Sequence, residues 1–160
     1  MDWWDTLDII GVDLYDRING TTLAEMVASW RPYLDHLRAM SRANGNMPVM
    51  LTEIGYCSGG GGGCSRRRDA TPLSLAHQAM HYEALFQAVA QYGTNASAFF
   101  QGAFWWNWDT DPAVGAGGHD ACLNPAWKPA EDILRKYYRA PGPRPTLPAD
   151  LRRQQCVCTF

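Results

Sequence analysis

Glu53 is the residue of this chain best placed to do chemistry. It interrupts the apolar run Met47-Pro48-Val49-Met50-Leu51-Thr52-Glu53-Ile54-Gly55-Tyr56 near its end. Burying an unpaired carboxylate there costs several kcal/mol. A structural ion pair with an Arg is the plain alternative. The chemical reading is a carboxylate that attacks an anomeric carbon and forms a glycosyl-enzyme intermediate. Tyr56, three residues on, is suited to bind or orient it. Asp13 and Tyr15 close a second apolar run, and Trp105, Trp106, Asn107, Trp108 and Asp109 close a third. Carboxylates and amides bind sugar hydroxyls, and indole faces stack on the C–H faces of pyranose rings. Core packing is the competing role for the tryptophans. Trp105 and Trp106 are adjacent, so in a strand they point to opposite sides, and one can pack while the other faces a site.

Other candidates are weaker. Gly59 to Gly63 are five consecutive glycines, followed by Arg66-Arg67-Arg68. The Gly-Lys-Ser/Thr of a phosphate-binding loop is missing, so the run reads as an extended, mobile loop over the site. His77, His81 and His119 lack metal-ligand spacing and read as helix-surface or loop residues. Asp109, Asp111 and Asp120 lack the calcium-loop pattern. No metal or cofactor is expected. The five cysteines show no zinc spacing and read as free thiols. The alternative is a Cys57–Cys64 disulfide that closes the glycine loop and implies an oxidising compartment. Asn19-Gly20-Thr21 and Asn95-Ala96-Ser97 match the glycosylation sequon, which raises a secreted reading only slightly. No signal-peptide pattern opens the chain.

These residues need elements to hold them. Three apolar runs, 7–15, 47–56 and 99–108, read as strands buried on both faces of a parallel sheet. Helical patterns separate them. Thr22-Leu23-Ala24-Glu25 fits a capping box, Pro32 kinks or restarts the helix, and Asn44-Gly45 ends it. A second helix opens at Thr71-Pro72 and stops at Gly93, with an apolar stripe of Leu75, Ala79, Tyr82, Phe86 and Val89. A third runs from Pro129 to about Tyr138. Strand–helix alternation implies right-handed βα units. Active sites of such folds collect at the C-terminal strand ends, where the candidate residues lie.

Composition bounds the class. The chain has 160 residues, 46% hydrophobic and 19% charged, with net charge −2. That suits a folded domain and gives no electrostatic footprint for nucleic acid. No apolar run is long enough to span a membrane. A complete (β/α)₈ barrel needs about 250 residues; this chain has the content of three units. The expected fold is therefore α/β, a partial (β/α)₈ TIM barrel comprising the last three βα units. Residues 1–140 would form that part and 141–160 a Pro-rich polar tail. Three strands alone leave two open edges, so partners are the missing barrel half or a second copy.

The runs from Trp3 to Tyr15, Pro48 to Tyr56 and Gly102 to Trp108 resemble glycoside hydrolase family 113, β-mannanase-type (β/α)₈ enzymes. Thr52-Glu53-Ile54-Gly55-Tyr56 is the most specific part. Gln78, Tyr82-Glu83-Ala84 and Lys128-Pro129-Ala130-Glu131 extend the resemblance to about Tyr138. It implies that the strands are the sixth to eighth of the barrel. It makes Glu53 the nucleophile and puts Asp13, Tyr15, Trp106 and Trp108 near substrate. It also implies an acid/base Glu at the end of the fourth strand, which this chain lacks. Glu25, Glu83 and Glu131, the other glutamates of the chain, lie on helical segments and do not replace it. Asp13 or Asp109 could approach Glu53, but neither matches the family's acid. The expected function is retaining hydrolysis of a β-1,4-linked, mannan-type polysaccharide, with the isolated chain inactive. The alternative is a non-catalytic barrel remnant that binds carbohydrate or a partner. The exact substrate is not legible.

Overall fold

A computed structural model of the chain describes residues 6–15, 18–59, 72–93, 96, 98–110 and 123–138. Their order is β1 (Ile10–Asp13), α1 (Leu23–Ser29), α2 (Arg31–Ala43), β2 (Val49–Ile54), α3 (Pro72–Tyr92), β3 (Phe100–Trp105) and α4 (Pro129–Tyr138). No helix among them is long and apolar enough to cross a membrane. The glycine loop from Gly60 through Arg68, His119, Asp111, Asp120, the Asn95 sequon and the 141–160 tail lie outside the described residues. The chain divides into two compact units: Met1–Ile54 with Ala84–Trp105, and Gly55–Glu83 with Trp106–Phe160.

The first unit contains the sheet. Its three strands are parallel and stand in sequence order, β1-β2-β3. They are shorter than their apolar runs, so Tyr15 and Trp106 to Trp108 lie past strand ends, not within them. The register carries one decisive irregularity. Val12 pairs with Leu51, but Asp13 pairs with Glu53, so Thr52 is an extra residue in β2. The same slip recurs toward β3, where Leu51 faces Ala103 and Ile54 faces Trp105. Strict alternation would put Glu53 on the face of Leu51. With the bulge, Leu51 and Ile54 are both buried while Thr52 is exposed and Glu53 half-buried. A bulge re-aims the side chains beside it, and here it turns Glu53 off the buried face.

The helices of this unit begin as their sequence dictates. Thr22 Oγ1 accepts from Glu25 N at 3.3 Å, and Glu25 Oε2 accepts from Thr22 N at 3.0 Å, a complete capping box. Pro32 sits in the first turn of α2, so it restarts the helix after Trp30. Trp30 itself is fully buried with Ile10, Met26, Leu34, Val49, Leu51 and Ile54. The end of α3 is tied to α2 by Tyr92, whose hydroxyl donates to Asp35 at 2.6 Å. The face of α3 differs from its expected stripe. Gln78, His81, Tyr82, Leu85, Ala88 and Tyr92 are buried, whereas Leu75, Ala79, Phe86 and Val89 sit half-buried. A helix covered over a wide arc buries polar residues that a hydrophobic stripe leaves out.

Removing the α1 cap leaves an amide of the first turn without its partner. Thr22→Ala is expected to lower the unfolding free energy by about 1 kcal/mol, read as a shift of the urea midpoint at constant slope. An unchanged midpoint would show that the cap is not formed in solution.

Candidate active site

In the first unit the strand ends bring four polar side chains together. The Tyr15 hydroxyl donates to Glu53 Oε2 at 2.9 Å. Thr52 Oγ1 donates to Asp13 Oδ1 at 2.7 Å. The backbone fixes both pairs: Leu14 N donates to the Glu53 carbonyl at 2.8 Å, and Asp13 and Glu53 are register partners. Partial burial raises the Tyr15 pKa well above its ordinary value. The hydrogen bond and charge of Glu53, then the charge of Asp13, raise it further. Tyr15 is thus a neutral phenol and a committed donor. It holds one carboxylate oxygen of Glu53 and leaves the other without a hydrogen bond among the described residues.

Thr52 was not among the sequence candidates, and neither was its neighbour Gly11. A Cβ at Gly11 would stand 2.8 Å from Thr52 Cγ2. Glycine at this position therefore leaves the space in which Thr52 reaches Asp13. The signal was present only as a glycine in an apolar strand, which marks a close approach. Trp105, at the end of β3, packs on Phe86 of α3 with ring centroids 5.8 Å apart. Of the adjacent tryptophans it is the one engaged in packing.

The second unit holds Tyr56, Trp106, Asn107, Trp108 and Asp109. Trp106 and Trp108 are 47% and 48% exposed, enough to present ring surface to a ligand. Gly55 has no room for a Cβ because the Trp106 carbonyl occupies that space. Asn124 Oδ1 accepts from Asp109 N at 3.3 Å and from Ala126 N at 3.1 Å. Tyr56 is held by α3. Its carbonyl accepts from Gln78 Nε2 at 2.7 Å, and its ring stacks on His81 at 4.4 Å and 13°. His81 is 8% exposed, which corrects its assignment to a helix surface. Cys57 is disulfide-bonded, which overturns the free-thiol reading at that position; its partner lies outside the described residues.

The other three glutamates have structural work. Glu25 accepts from the Thr21 and Thr22 amides. Glu83 accepts from Lys136 Nζ at 2.9 Å and the Tyr137 hydroxyl at 2.7 Å. Glu131 accepts from Trp127 N at 2.6 Å and Arg135 Nε at 2.8 Å. Each is committed to a helix end or an ion pair, which leaves Glu53 as the glutamate at a strand terminus.

A neutral tyrosine aimed at a carboxylate and a second carboxylate in register beside it thus meet where two parallel strands end. The family model for Glycoside Hydrolase Family 113 matches residues 1–118, and the chain belongs to that family. Among solved structures it is similar to the GH113 β-mannanase AaManA from Alicyclobacillus acidocaldarius, a structure in complex with ManMIm. The two share 27% identity with a TM-score of 0.61 over 86% of this chain and 40% of that one. It is also similar in fold to a GH113 β-1,4-mannanase in complex form, with 23% identity and a TM-score of 0.63 over 88% of this chain and 41% of that one. No curated protein sequence matches. The chain thus spans about two-fifths of the length of these barrels, and its fold is α/β, part of a TIM barrel.

Burial, with the neighbouring His77 second, depresses the His81 pKa to about 4. An unfolded histidine titrates near ~6.5, so between those values the unfolded chain binds more protons. The stabilisation is complete above ~6.5 and is lost as pH falls toward 4. Lowering the pH from 7 to 4 is expected to cost about 1–3 kcal/mol through this group, since each tenfold difference in proton affinity between the folded and unfolded chain is worth ~1.4 kcal/mol. His81→Phe, which keeps a ring against Tyr56, should flatten that slope in urea titrations at stepped pH. Parallel slopes in both proteins would remove His81 from the pH response.

Proposed function

We propose that this chain carries the nucleophile side of a retaining β-glycanase acting on β-1,4-linked, mannan-type polysaccharide, with Glu53 as the nucleophile. The observation that carries the reading is the 2.9 Å hydrogen bond from Tyr15 to Glu53 Oε2 at the strand ends. It fixes the carboxylate plane and leaves the second oxygen to attack the anomeric carbon. The new bond is an ester to that carbon; the bond that breaks is the glycosidic C–O. The departing oxygen needs a proton from a second carboxyl group about 5–5.5 Å from the nucleophile, which later activates water. No other glutamate of this chain is free for that role. Residues 1–140 then belong to the C-terminal part of a barrel, with 141–160 as a tail, and the acid/base comes from the part this chain does not span.

In this reading Asp13, anchored by Thr52, binds a sugar hydroxyl. Tyr56, Trp106, Asn107, Trp108 and Asp109 bind further sugar, and Trp105 is the packing member of the tryptophan run. The disulfide at Cys57 fits an oxidising compartment. The exposed rings of Trp106 and Trp108 favour a second reading, a carbohydrate-binding remnant without turnover.

Reducing-sugar release from mannan, glucomannan and cellulose separates the two. The isolated chain should show negligible turnover, because loss of acid–base help alone is worth about 10²–10⁴-fold. The same chain joined to the unmatched part of AaManA should hydrolyse mannan and lose that activity with Glu53→Gln. Tyr15→Phe in the joined protein removes a hydrogen bond to a charged group, about 1.5–3 kcal/mol. It should lower kcat/KM by roughly 10–100-fold. Turnover by the isolated chain would reveal an acid/base within it. Sugar binding by a joined protein that never turns over would favour the remnant.

A further inference from the structure

In the second unit the segment from Trp106 to Asp109 carries two half-exposed rings, Trp106 at 47% and Trp108 at 48%. A segment that presents rings outward must be held by its backbone, and this one is fixed at both ends. At its start the Trp106 carbonyl fills the space in which a Cβ on Gly55 would stand, and Leu123 Cδ2 lies 3.2 Å from the same point. At its end Asp109 N donates to Asn124 Oδ1 at 3.3 Å.

Asn124 is oriented by its own turn. Its Oδ1 also accepts from Ala126 N at 3.1 Å, the local bond that an asparagine side chain makes with the amide two residues on. Pro125 stands between them with its φ fixed. An amide oxygen has two lone pairs. One bond sets the side chain, and the other reaches Asp109, 15 positions away in the chain. The residue before, Leu123, is tied to α3: its carbonyl accepts from Gln78 Nε2 and from the Tyr82 hydroxyl, each at 3.3 Å. The same Gln78 Nε2 donates to the Tyr56 carbonyl at 2.7 Å. Tyr56 and the Trp106–Asp109 segment are thereby referred to one fully buried amide of α3.

Asn124 is only 3% exposed, and its Nδ2 is buried with no hydrogen-bond partner among the described residues. A buried donor left unpaired is destabilising, so packing alone would be served better by an apolar side chain. The oxygen is the half of this amide that the fold uses.

We infer that Asn124 is a positioning residue for carbohydrate binding: its Oδ1 holds the Asp109 amide and so keeps the rings of Trp106 and Trp108 in the arrangement that a sugar meets. The inference rests on the proposed sugar-binding role of that segment. Asn124 is buried and acts through Asp109. With the bond gone the segment samples other conformations, and affinity falls with the fraction of time spent in the competent one.

Two variants test this. Asn124→Asp keeps an oxygen for both amides, whereas Asn124→Leu keeps the bulk and removes the acceptor. Both are made in the joined protein carrying Glu53→Gln, where mannohexaose is bound and not cleaved, and in the 160-residue chain. Calorimetric titration with mannohexaose should give a Kd about 10-fold higher for Asn124→Leu and within about 2-fold of the parent for Asn124→Asp. In the 160-residue chain the Asp109 amide should exchange at least ~10-fold faster in Asn124→Leu and at the parent rate in Asn124→Asp. Asn124→Asp buries a charge and should lower the urea midpoint, so its retained affinity separates positioning from stability. The inference is overturned if Asn124→Leu changes neither Kd nor Asp109 exchange, if it frees the amide without weakening binding, or if Asn124→Asp frees the amide or binds as poorly as Asn124→Leu. A parent that binds no mannohexaose overturns the sugar reading and this inference with it. Asp109 exchange that still responds to Asn124→Leu then tells that failure apart from failure of the clamp.

Discussion

An extra residue in β2 governs how the carboxylates at the strand ends are placed. Thr52 has no partner of its own in β1, so the residues after it are displaced by one step relative to strict alternation. Leu51 and Ile54 can then both enter the core, and Glu53 is turned toward Tyr15. The energetic logic is direct. A carboxylate on the face of Leu51 would be fully buried without a partner, at a cost of several kcal/mol. The bulge avoids that cost and converts an internal strand residue into one that meets a donor. It also places Thr52 where its hydroxyl reaches Asp13. One backbone irregularity thus organises both carboxylates.

The rest of the first unit keeps that irregularity in place. Val49, Leu51 and Ile54 are fully buried, and sliding β2 by one residue would expose them, which pins the register. Gly11 leaves the gap that Thr52 enters. α1 and α2 close over the sheet around Trp30, and Tyr92 fastens α3 to α2 through Asp35. The second unit fixes its own segments by another means. Gln78 and His81 of α3 grip Tyr56 by carbonyl and by ring, while Gly55 admits the carbonyl of Trp106. Polar residues buried on α3 therefore serve as fixings for the segment after β2.

The division of glutamates joins structure to function. Three of the four hold helix ends or cations, and the fourth stands at a strand end with a tyrosine donor. The proposed retaining mechanism needs two carboxyl groups with separate duties, and the proposal assigns one of them to Glu53.

The sequence alone determined the order and direction of the strands, because apolar runs alternating with helical patterns allow only parallel βα units. It also determined the capping box at Thr22, the restart at Pro32 and the singular position of Glu53. These are local signals, carried by residue type over a few positions. Only the tertiary structure decided which way Glu53 points, since period-two reading puts it with Leu51 and a bulge leaves no mark in composition. It likewise decided that Thr52 serves Asp13, that His81 is buried against Tyr56, that Cys57 is bonded, and that the buried face of α3 is broader than its apolar stripe. Each depends on a neighbour distant in the chain. Pairing between strands and packing between elements are set by the whole fold, which a single segment does not contain.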